Sequence, residues 1–250
     1  MNGEGKGLME ARSAEELFFR ALQAHLPGKV LYNGDGGGAA EHLRGLGLAV
    51  PNRHWGVGLP AATAAALDAL LQGFGGARRG WPEADLLPGI DGFITGPPVG
   101  PCLVEFDGAE HFSPYRLSSL AAIEGLVETS FDLAAYRGFC TAPALFREFW
   151  AKCRLPAKAL SAGRVIRSHA QLAGILSRGR GAARASGYAR AVRGFPFAGG
   201  RIAQRAYHDT LLDCLPQTAV GRASGLRPTL RVAIWDPRLP DPSNPRAEKE

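Results

Sequence analysis

Short apolar runs along the chain predict four strands. They are rich in branched and aromatic side chains, as strands are, and turn residues lie beside them. The runs are residues 29–33 (KVLYN), 90–95 (IDGFIT), 101–107 (PCLVEFD) and 229–235 (TLRVAIW). Because only a few residues separate the second run from the third, these two are predicted to form an antiparallel hairpin.

Helical spacing of apolar positions predicts the remaining elements. Ser13 and Glu16 resemble a capping box that starts a first helix, which stops at Pro27. Ser113 and Pro114 begin a helix that we expect to continue to about residue 129. Further helices are predicted at about 61–71, 143–153, 169–177 and 201–215. The order of helices and strands indicates an α/β fold built on a small mixed β-sheet.

The composition indicates a single soluble domain. The chain has 250 residues, of which 46% are hydrophobic, and no apolar run approaches the roughly 20 residues needed to cross a bilayer. The N-terminus does not resemble a secretory signal, and the four cysteines form no CxxC pair. We therefore expect a cytoplasmic protein without membrane association, in which residues 237–250 form a flexible tail.

Positive charge is concentrated in one part of the chain. Residues 147–206 contain thirteen lysines and arginines but only one acid, Glu148, whereas the whole chain carries a net charge of +6. Such a division favours a polyanionic partner that is gripped by the basic segment, at about residues 140–206. A solvated basic surface is the alternative interpretation of this segment.

Acidic residues gather on the two central strands. Glu105 and Asp107 point to the same face of one strand because strand side chains alternate, and Asp91 lies on the strand before it. His111 follows one short turn later. Clustered acids repel each other unless a cation lies between them, so this pattern predicts a divalent-metal site. Carboxylate oxygens suit Mg²⁺, for which Mn²⁺ can substitute.

Each of these residues also has a purely structural interpretation. Asp91 precedes a glycine and could belong to a turn, and Asp107 could end its strand in an Asp-Gly turn. A lone histidine such as His111 is often structural. Glu15 shares a helix face with apolar residues and could reach the site, or it could simply stabilise the helix N-terminus.

The segment Val104–Phe112 (VEFDGAEHF) resembles the E-x-D-G-x-x-H signature of the PD-(D/E)XK nuclease superfamily. It is nearest to the branch related to very-short-patch repair endonucleases. This resemblance implies a restriction-endonuclease-like core in a single nuclease-like domain, with a helical insertion at about 39–85. The superfamily's lysine is absent, and Asp107 stands in its place. A metal, His111 or an arginine would then have to neutralise charge in the transition state.

The resemblance implies a Mg²⁺-dependent endonuclease acting on double-stranded DNA, and we expect a homodimeric type II-like restriction enzyme. The alternatives are a repair or nicking endonuclease of the same fold and a nuclease-like protein that only binds nucleic acid. The expected catalytic residues are Glu15, Asp91, Glu105, Asp107 and His111. The expected metal ligands are Asp91, Glu105 and Asp107. The expected DNA-binding residues are Arg116, Arg164, Arg167, Arg178, Arg180 and Arg201.

Overall fold

The computed structural model describes residues 4–35, 38–48, 58–77, 90–142, 168–178 and 190–235. Within these ranges the chain is a mixed α/β fold, as predicted. Its elements are α1 (Glu4–His25), β1 (Val30–Tyr32), α2 (Gly38–Gly45), α3 (Ala61–Gly73), β2 (Gly92–Ile94), β3 (Cys102–Asp107), α4 (Pro114–Ile123), α5 (Leu133–Thr141), α6 (His169–Arg178), α7 (Gly200–Cys214), α8 (Ala219–Ala223) and β4 (Leu230–Ala233).

The four strands form one open mixed sheet in the order β1-β2-β3-β4. β1 pairs antiparallel with β2, and β2 pairs antiparallel with β3, so the predicted hairpin is confirmed. β3 pairs in parallel with β4, which requires the long crossover that contains α4 to α8. Because β3 has a neighbour on each side and helices above and below, all six of its residues are buried.

Helix α1 covers one face of the sheet. Val104 and Phe106 point to this face from β3 and join an apolar cluster with Phe19 of α1. The ring of Phe18 lies 5.6 Å from that of Phe106, and the ring of Phe19 stacks on Tyr32 at 4.3 Å. The apolar stripe predicted for the first helix therefore packs on the sheet.

The opposite face packs against α2 and α7. Phe93 and Leu103 point to this face and share a buried cluster with Leu43 of α2 and Leu212 of α7. Leu71 of α3 belongs to a second cluster, which also contains α4, α6 and α7. The helices within residues 39–85 therefore contribute to the core. The face that meets α7 is also the face on which Glu105 and Asp107 lie, since they alternate with Val104 and Phe106.

Several predicted helix boundaries are wrong. α1 begins at Glu4, so Ser13 lies within the helix, and Glu16 forms an i,i+4 ion pair with Arg20 instead of a capping box. α4 ends at Ile123 because Gly125 adopts a left-handed conformation, with φ of 73°.

Helix α5 was not predicted. Its N-cap is Asp132, whose carboxylate accepts hydrogen bonds from the backbone N–H groups of Ala134 and Ala135. The predictions for residues 143–153 and 237–250 lie outside the described residues. In the described ranges, no helix has both the length and the apolar character that a bilayer crossing requires.

Candidate functional site

Asp91 and Glu105 lie on neighbouring strands at the same end of the hairpin. Gly92 pairs with Val104, so extending this register by one residue places Asp91 opposite Glu105. Opposite residues of an antiparallel pair are close enough for their side chains to interact. The Asp91 carboxylate is held by Phe106, whose backbone N–H donates to Oδ2 at 2.8 Å. The structure therefore brings these two expected metal ligands together.

The surroundings of this acid pair disfavour two negative charges. Burial raises the pKa of Asp91 to about 7, and the Glu15 carboxylate adds to this effect. Burial, followed by the charge of Asp91, raises the pKa of Glu105 well above its usual range. Glu105 is only 2% exposed, and its Oε1 atom is buried without a hydrogen-bond partner among the described residues. One of these two carboxyl groups therefore keeps a proton near neutral pH unless a cation is present.

Glu15 reaches the same region from α1. Its charge contributes to the raised pKa of Asp91. Burial and then Glu15 raise the pKa of Tyr32 on β1 to about 12, and the Tyr32 hydroxyl is hydrogen-bonded to Glu15. Helix α1 thus brings the charge of a third carboxylate, that of Glu15, within electrostatic reach of Asp91.

Asp107 has a different environment, because a buried arginine neutralises it. Arg231 of β4 donates from Nη1 to Asp107 Oδ1 at 2.8 Å and to Oδ2 at 3.1 Å. The same guanidinium donates from Nε to Asp213 Oδ1 at 2.6 Å and from Nη2 to the carbonyl oxygen of Asp209 at 2.9 Å. With both oxygens accepting from Arg231, Asp107 is less suited to hold a metal than we expected from its sequence position.

Arg116 extends this buried network and is not placed to bind DNA. Its Nη2 donates to Asp213 Oδ2 at 2.8 Å, and its Nη1 contacts the hydroxyl oxygens of Thr210 and Ser119 at 3.3 and 3.4 Å. The residue is 1% exposed. The structure therefore contradicts the expected contact between Arg116 and a phosphate. The guanidinium forms an internal ion pair with Asp213, and burial keeps it away from any external ligand.

His111 lies between two acids and an arginine. Its Nδ1 is 3.0 Å from Asp107 Oδ1 and 3.0 Å from Asp209 Oδ2, while Arg205 Nη1 donates to Nε2. Burial acts to lower the pKa of His111, but Asp209 and Asp107 raise it overall, against the charge of Arg205.

Two opposing influences act on the charge of the His111 ring. A hydrogen bond from Arg205 to Nε2 needs a neutral ring with its proton on Nδ1, since Arg205 offers only N–H donors. The carboxylates of Asp209 and Asp107 raise the pKa of His111 and favour the charged form. Both ring nitrogens are engaged, which disfavours the role of general acid or base that the sequence suggested.

Asp107, His111 and Asp209 form a second arrangement that could hold a metal ion. Each offers one ligand atom, and these atoms lie within 4.8 Å of one another. Their charges are already balanced by Arg231 and by the hydrogen bonds of His111. By contrast, no ion pair joins Asp91 or Glu105 to a cationic side chain in the part of the chain that the structure describes. The lack of a cationic partner therefore distinguishes Asp91 and Glu105 from the Asp107–His111–Asp209 group.

The expected DNA-binding arginines are only partly described. Arg201, in the first turn of α7, is partly exposed and donates to Gln204 Oε1 at 2.6 Å. Arg178 is the last residue of α6. Arg164, Arg167 and Arg180 lie outside the described residues.

Reasoning from the sequence missed Arg205, Asp209, Asp213 and Arg231. One signal was available, because Arg231 interrupts an otherwise apolar strand and alternation directs it to the same face as the residue opposite it, Glu105. Asp209 and Asp213 are four residues apart on α7, so they lie on the same face of the helix. The buried apolar residue Leu212 lies near that face. Acids on a buried helix face need cationic partners.

Comparison of the chain with protein-family models, with curated proteins and with solved structures found no match.

Proposed function

We propose that this protein is a Mg²⁺-dependent endonuclease that hydrolyses phosphodiester bonds in double-stranded DNA. The observation that carries the proposal is the buried Glu105 carboxyl group, which has an unpartnered oxygen and lies beside Asp91. An uncompensated buried acid next to another acid is costly unless a cation binds there. Carboxylate oxygens are the ligands that Mg²⁺ and Mn²⁺ accept.

Asp91 and Glu105 would hold the metal ion in this proposal. Bound there, Mg²⁺ would supply a water molecule of lowered pKa as the nucleophile and would offset negative charge on the phosphate. The Phe106 N–H group fixes the Asp91 carboxylate, so that ligand is oriented before the metal binds. In this proposal Glu15, whose charge acts on Asp91, would accept a proton from a water molecule at the site.

A nucleic-acid substrate is supported by the charge of the chain. The segment 147–206 contains thirteen basic residues and one acid, and α7 contributes Arg201 and Arg205 to this number. A strongly basic segment in a chain that also carries clustered acids suits a substrate with a phosphate backbone. We further propose a type II-like restriction enzyme, acting as a homodimer because cutting both strands of a symmetric site calls for two active sites.

The test is cleavage of supercoiled plasmid DNA in Mg²⁺ and, separately, in Mn²⁺. Glu105→Gln and Asp91→Asn remove charge without changing size, and both are expected to reduce cleavage to background. Glu128→Gln makes the same chemical change at an exposed position and should cleave like the wild type. Cleavage by Glu105→Gln at the wild-type rate would refute this assignment of the metal site.

Metal binding separates the enzyme from a protein that only binds nucleic acid. Mg²⁺ or Mn²⁺ should raise the Tm of the wild-type protein, since a ligand that binds only the folded state stabilises it. The same ions should leave the Tm of Glu105→Gln unchanged. DNA binding without a metal-dependent shift and without cleavage would favour the non-catalytic alternative.

A further inference from the structure

A tight turn before α7 presents an exposed arginine. Val192 and Phe195 exchange both backbone hydrogen bonds, at 3.1 and 3.0 Å, so Arg193 and Gly194 form the tip of a β-turn. Gly194 has φ of 85°, which suits the second tip residue of such a turn and which other residues rarely adopt. Arg193 is the first tip residue, and its side chain is exposed.

The turn is fixed to the body of the protein on two sides. Phe195 is fully buried in a core cluster with Tyr207 of α7, and the two ring centroids are 6.2 Å apart. The backbone N–H of Ala77, a few residues after α3, donates to the carbonyl oxygen of Gly194 at 2.9 Å. The backbone of Arg193 is therefore held by the core, so little order has to be gained when a partner binds.

Two more arginines adjoin this turn. The carbonyl oxygen of Arg190 accepts from the backbone N–H of Arg201 at 3.0 Å, which places Arg190 beside the first turn of α7. Arg190 is exposed and Arg201 is partly exposed. Neither Arg190 nor Arg193 has a hydrogen-bond or ion-pair partner among the described residues. Residues 190–208 contain four arginines and no acid, so this segment does not neutralise its own charge.

The side chains around these arginines favour a phosphate-bearing partner. Guanidinium groups donate to phosphate oxygens in pairs. A protein interface or a membrane-bound surface would also offer large apolar side chains. In the described part of the chain, the exposed large apolar side chains lie on α1, just after α2 and between β2 and β3, and not within residues 190–208. Double-stranded DNA supplies phosphates and needs no apolar surface in return.

We infer that Arg190 and Arg193 contact phosphates of double-stranded DNA beside Arg201, and that the turn at residues 192–195 holds this contact in place. The inference rests on the proposed function for the identity of the partner, whereas binding itself does not require cleavage. Contacts to phosphates release counterions and fix the position of the duplex, but they carry no sequence information. These arginines should therefore contribute to affinity for DNA and not to the rate of bond cleavage.

The test measures the binding of a labelled DNA duplex by fluorescence anisotropy at several salt concentrations, with a chelator and, separately, with Ca²⁺ in place of Mg²⁺. For Arg190→Gln/Arg193→Gln, the slope of log K against log salt concentration should fall in magnitude by about two, where K is the association constant. At about 0.1 M salt, binding should weaken about 10- to 100-fold. Arg20→Gln/Arg222→Gln removes the same charge from exposed positions on α1 and α8 and should change neither quantity.

A second variant tests the turn itself. Gly194→Ala keeps every arginine but puts a side chain at a positive φ, so the free protein is expected to relax the turn. DNA binding should weaken about 5- to 30-fold, because the strained conformation has to be restored on binding. Gly138→Ala, in α5, makes the same chemical change in open space and should bind DNA like the wild type. Wild-type affinity of Gly194→Ala would overturn the role of the turn.

The outcomes separate this inference from the proposed function. A wild-type salt slope for Arg190→Gln/Arg193→Gln would overturn the phosphate contacts, whether or not the protein cleaves DNA. At saturating enzyme this variant should cleave plasmid within about threefold of the wild-type rate, and a larger loss would contradict a role in affinity alone. If the wild type binds the duplex as expected but cleaves in neither Mg²⁺ nor Mn²⁺, only the nuclease proposal fails. Binding to vesicles of anionic phospholipid without binding to the duplex would overturn the choice of DNA as the partner.

Discussion

Arg231 of β4 lies opposite Glu105 of β3 in the sheet register, yet its guanidinium binds Asp107 two residues further along the same face. Asp107 thereby receives both hydrogen bonds from Nη1, at 2.8 and 3.1 Å. Glu105 receives only the longer-range electrostatic effect of Arg231, which lowers its pKa against the larger effect of burial. Arg231 therefore neutralises Asp107, whereas Glu105 has no ion-pair partner among the described residues.

Loss of Arg231 should destabilise the fold strongly. Arg231→Met leaves Asp107 without its arginine in the interior, so we expect the free energy of unfolding to fall by about 3–5 kcal/mol. Urea denaturation measures this change. Arg227→Met removes an exposed arginine just before β4 and should cost less than about 1 kcal/mol. A loss below 1 kcal/mol for Arg231→Met would contradict the buried ion pair.

The stability of the metal-free protein should fall as the pH rises from about 4 to about 7. The usual pKa of Asp91 is 3.8, and burial raises it to about 7 in the folded state. Between these values the folded protein holds a proton that the unfolded chain has lost, so the free energy of unfolding decreases with pH. We expect a loss of about 2–4 kcal/mol across this range relative to Asp91→Asn.

This pH dependence is measured by urea denaturation of both proteins in the presence of a chelator. Mg²⁺ should restore the stability of the wild type at pH 7 to 8, because the metal favours the ionised carboxylates, and should not affect Asp91→Asn. Parallel pH profiles of the two proteins would argue against a buried, protonated Asp91.

Arg201 and Arg116 should differ in their effects on DNA binding. Arg201 is partly exposed, so Arg201→Gln should weaken the salt dependence of DNA binding. We expect the slope of log K against log salt concentration to fall in magnitude by about one. Arg116→Gln should leave that slope unchanged and instead lower the free energy of unfolding by about 2–4 kcal/mol, because Asp213 loses a buried partner. Fluorescence anisotropy at several salt concentrations measures the slope. Equal slopes for Arg201→Gln and the wild type would exclude a phosphate contact by Arg201.

Two glycine-to-alanine substitutions should have opposite effects on stability. At Gly92 of β2 a Cβ atom would lie 2.3 Å from the ring of Phe19 and 2.9 Å from the carbonyl oxygen of Leu31. Gly92→Ala should therefore destabilise the protein by about 1–3 kcal/mol. Gly138, within α5, has open space around its Cα, and Gly138→Ala should stabilise by about 0.5–1 kcal/mol. Thermal denaturation compares the two, and a stable Gly92→Ala would contradict the close packing of α1 on β2.

Local sequence signals predicted the hairpin and the helix at residues 201–215 well. Alternation along β3 and the short connection to β2 were enough to place Glu105 near Asp91, because both constraints act over about fifteen residues. The capping-box signal at Ser13 failed because the helix continues through it to Glu4. Helix α5 was missed although Asp132 is a recognisable N-cap.

The sequence alone determined the strand pattern and the acidic residues that the central hairpin presents. Tertiary structure decided which of those acids has a cationic partner and which side chains surround His111, because Arg231, Arg205 and Asp209 lie about a hundred residues away along the chain. Their approach depends on the parallel pairing of β4 with β3 and on the packing of α7 against the sheet. Such long-range contacts depend on the packing of the whole chain, whereas spacing in sequence constrains only near neighbours.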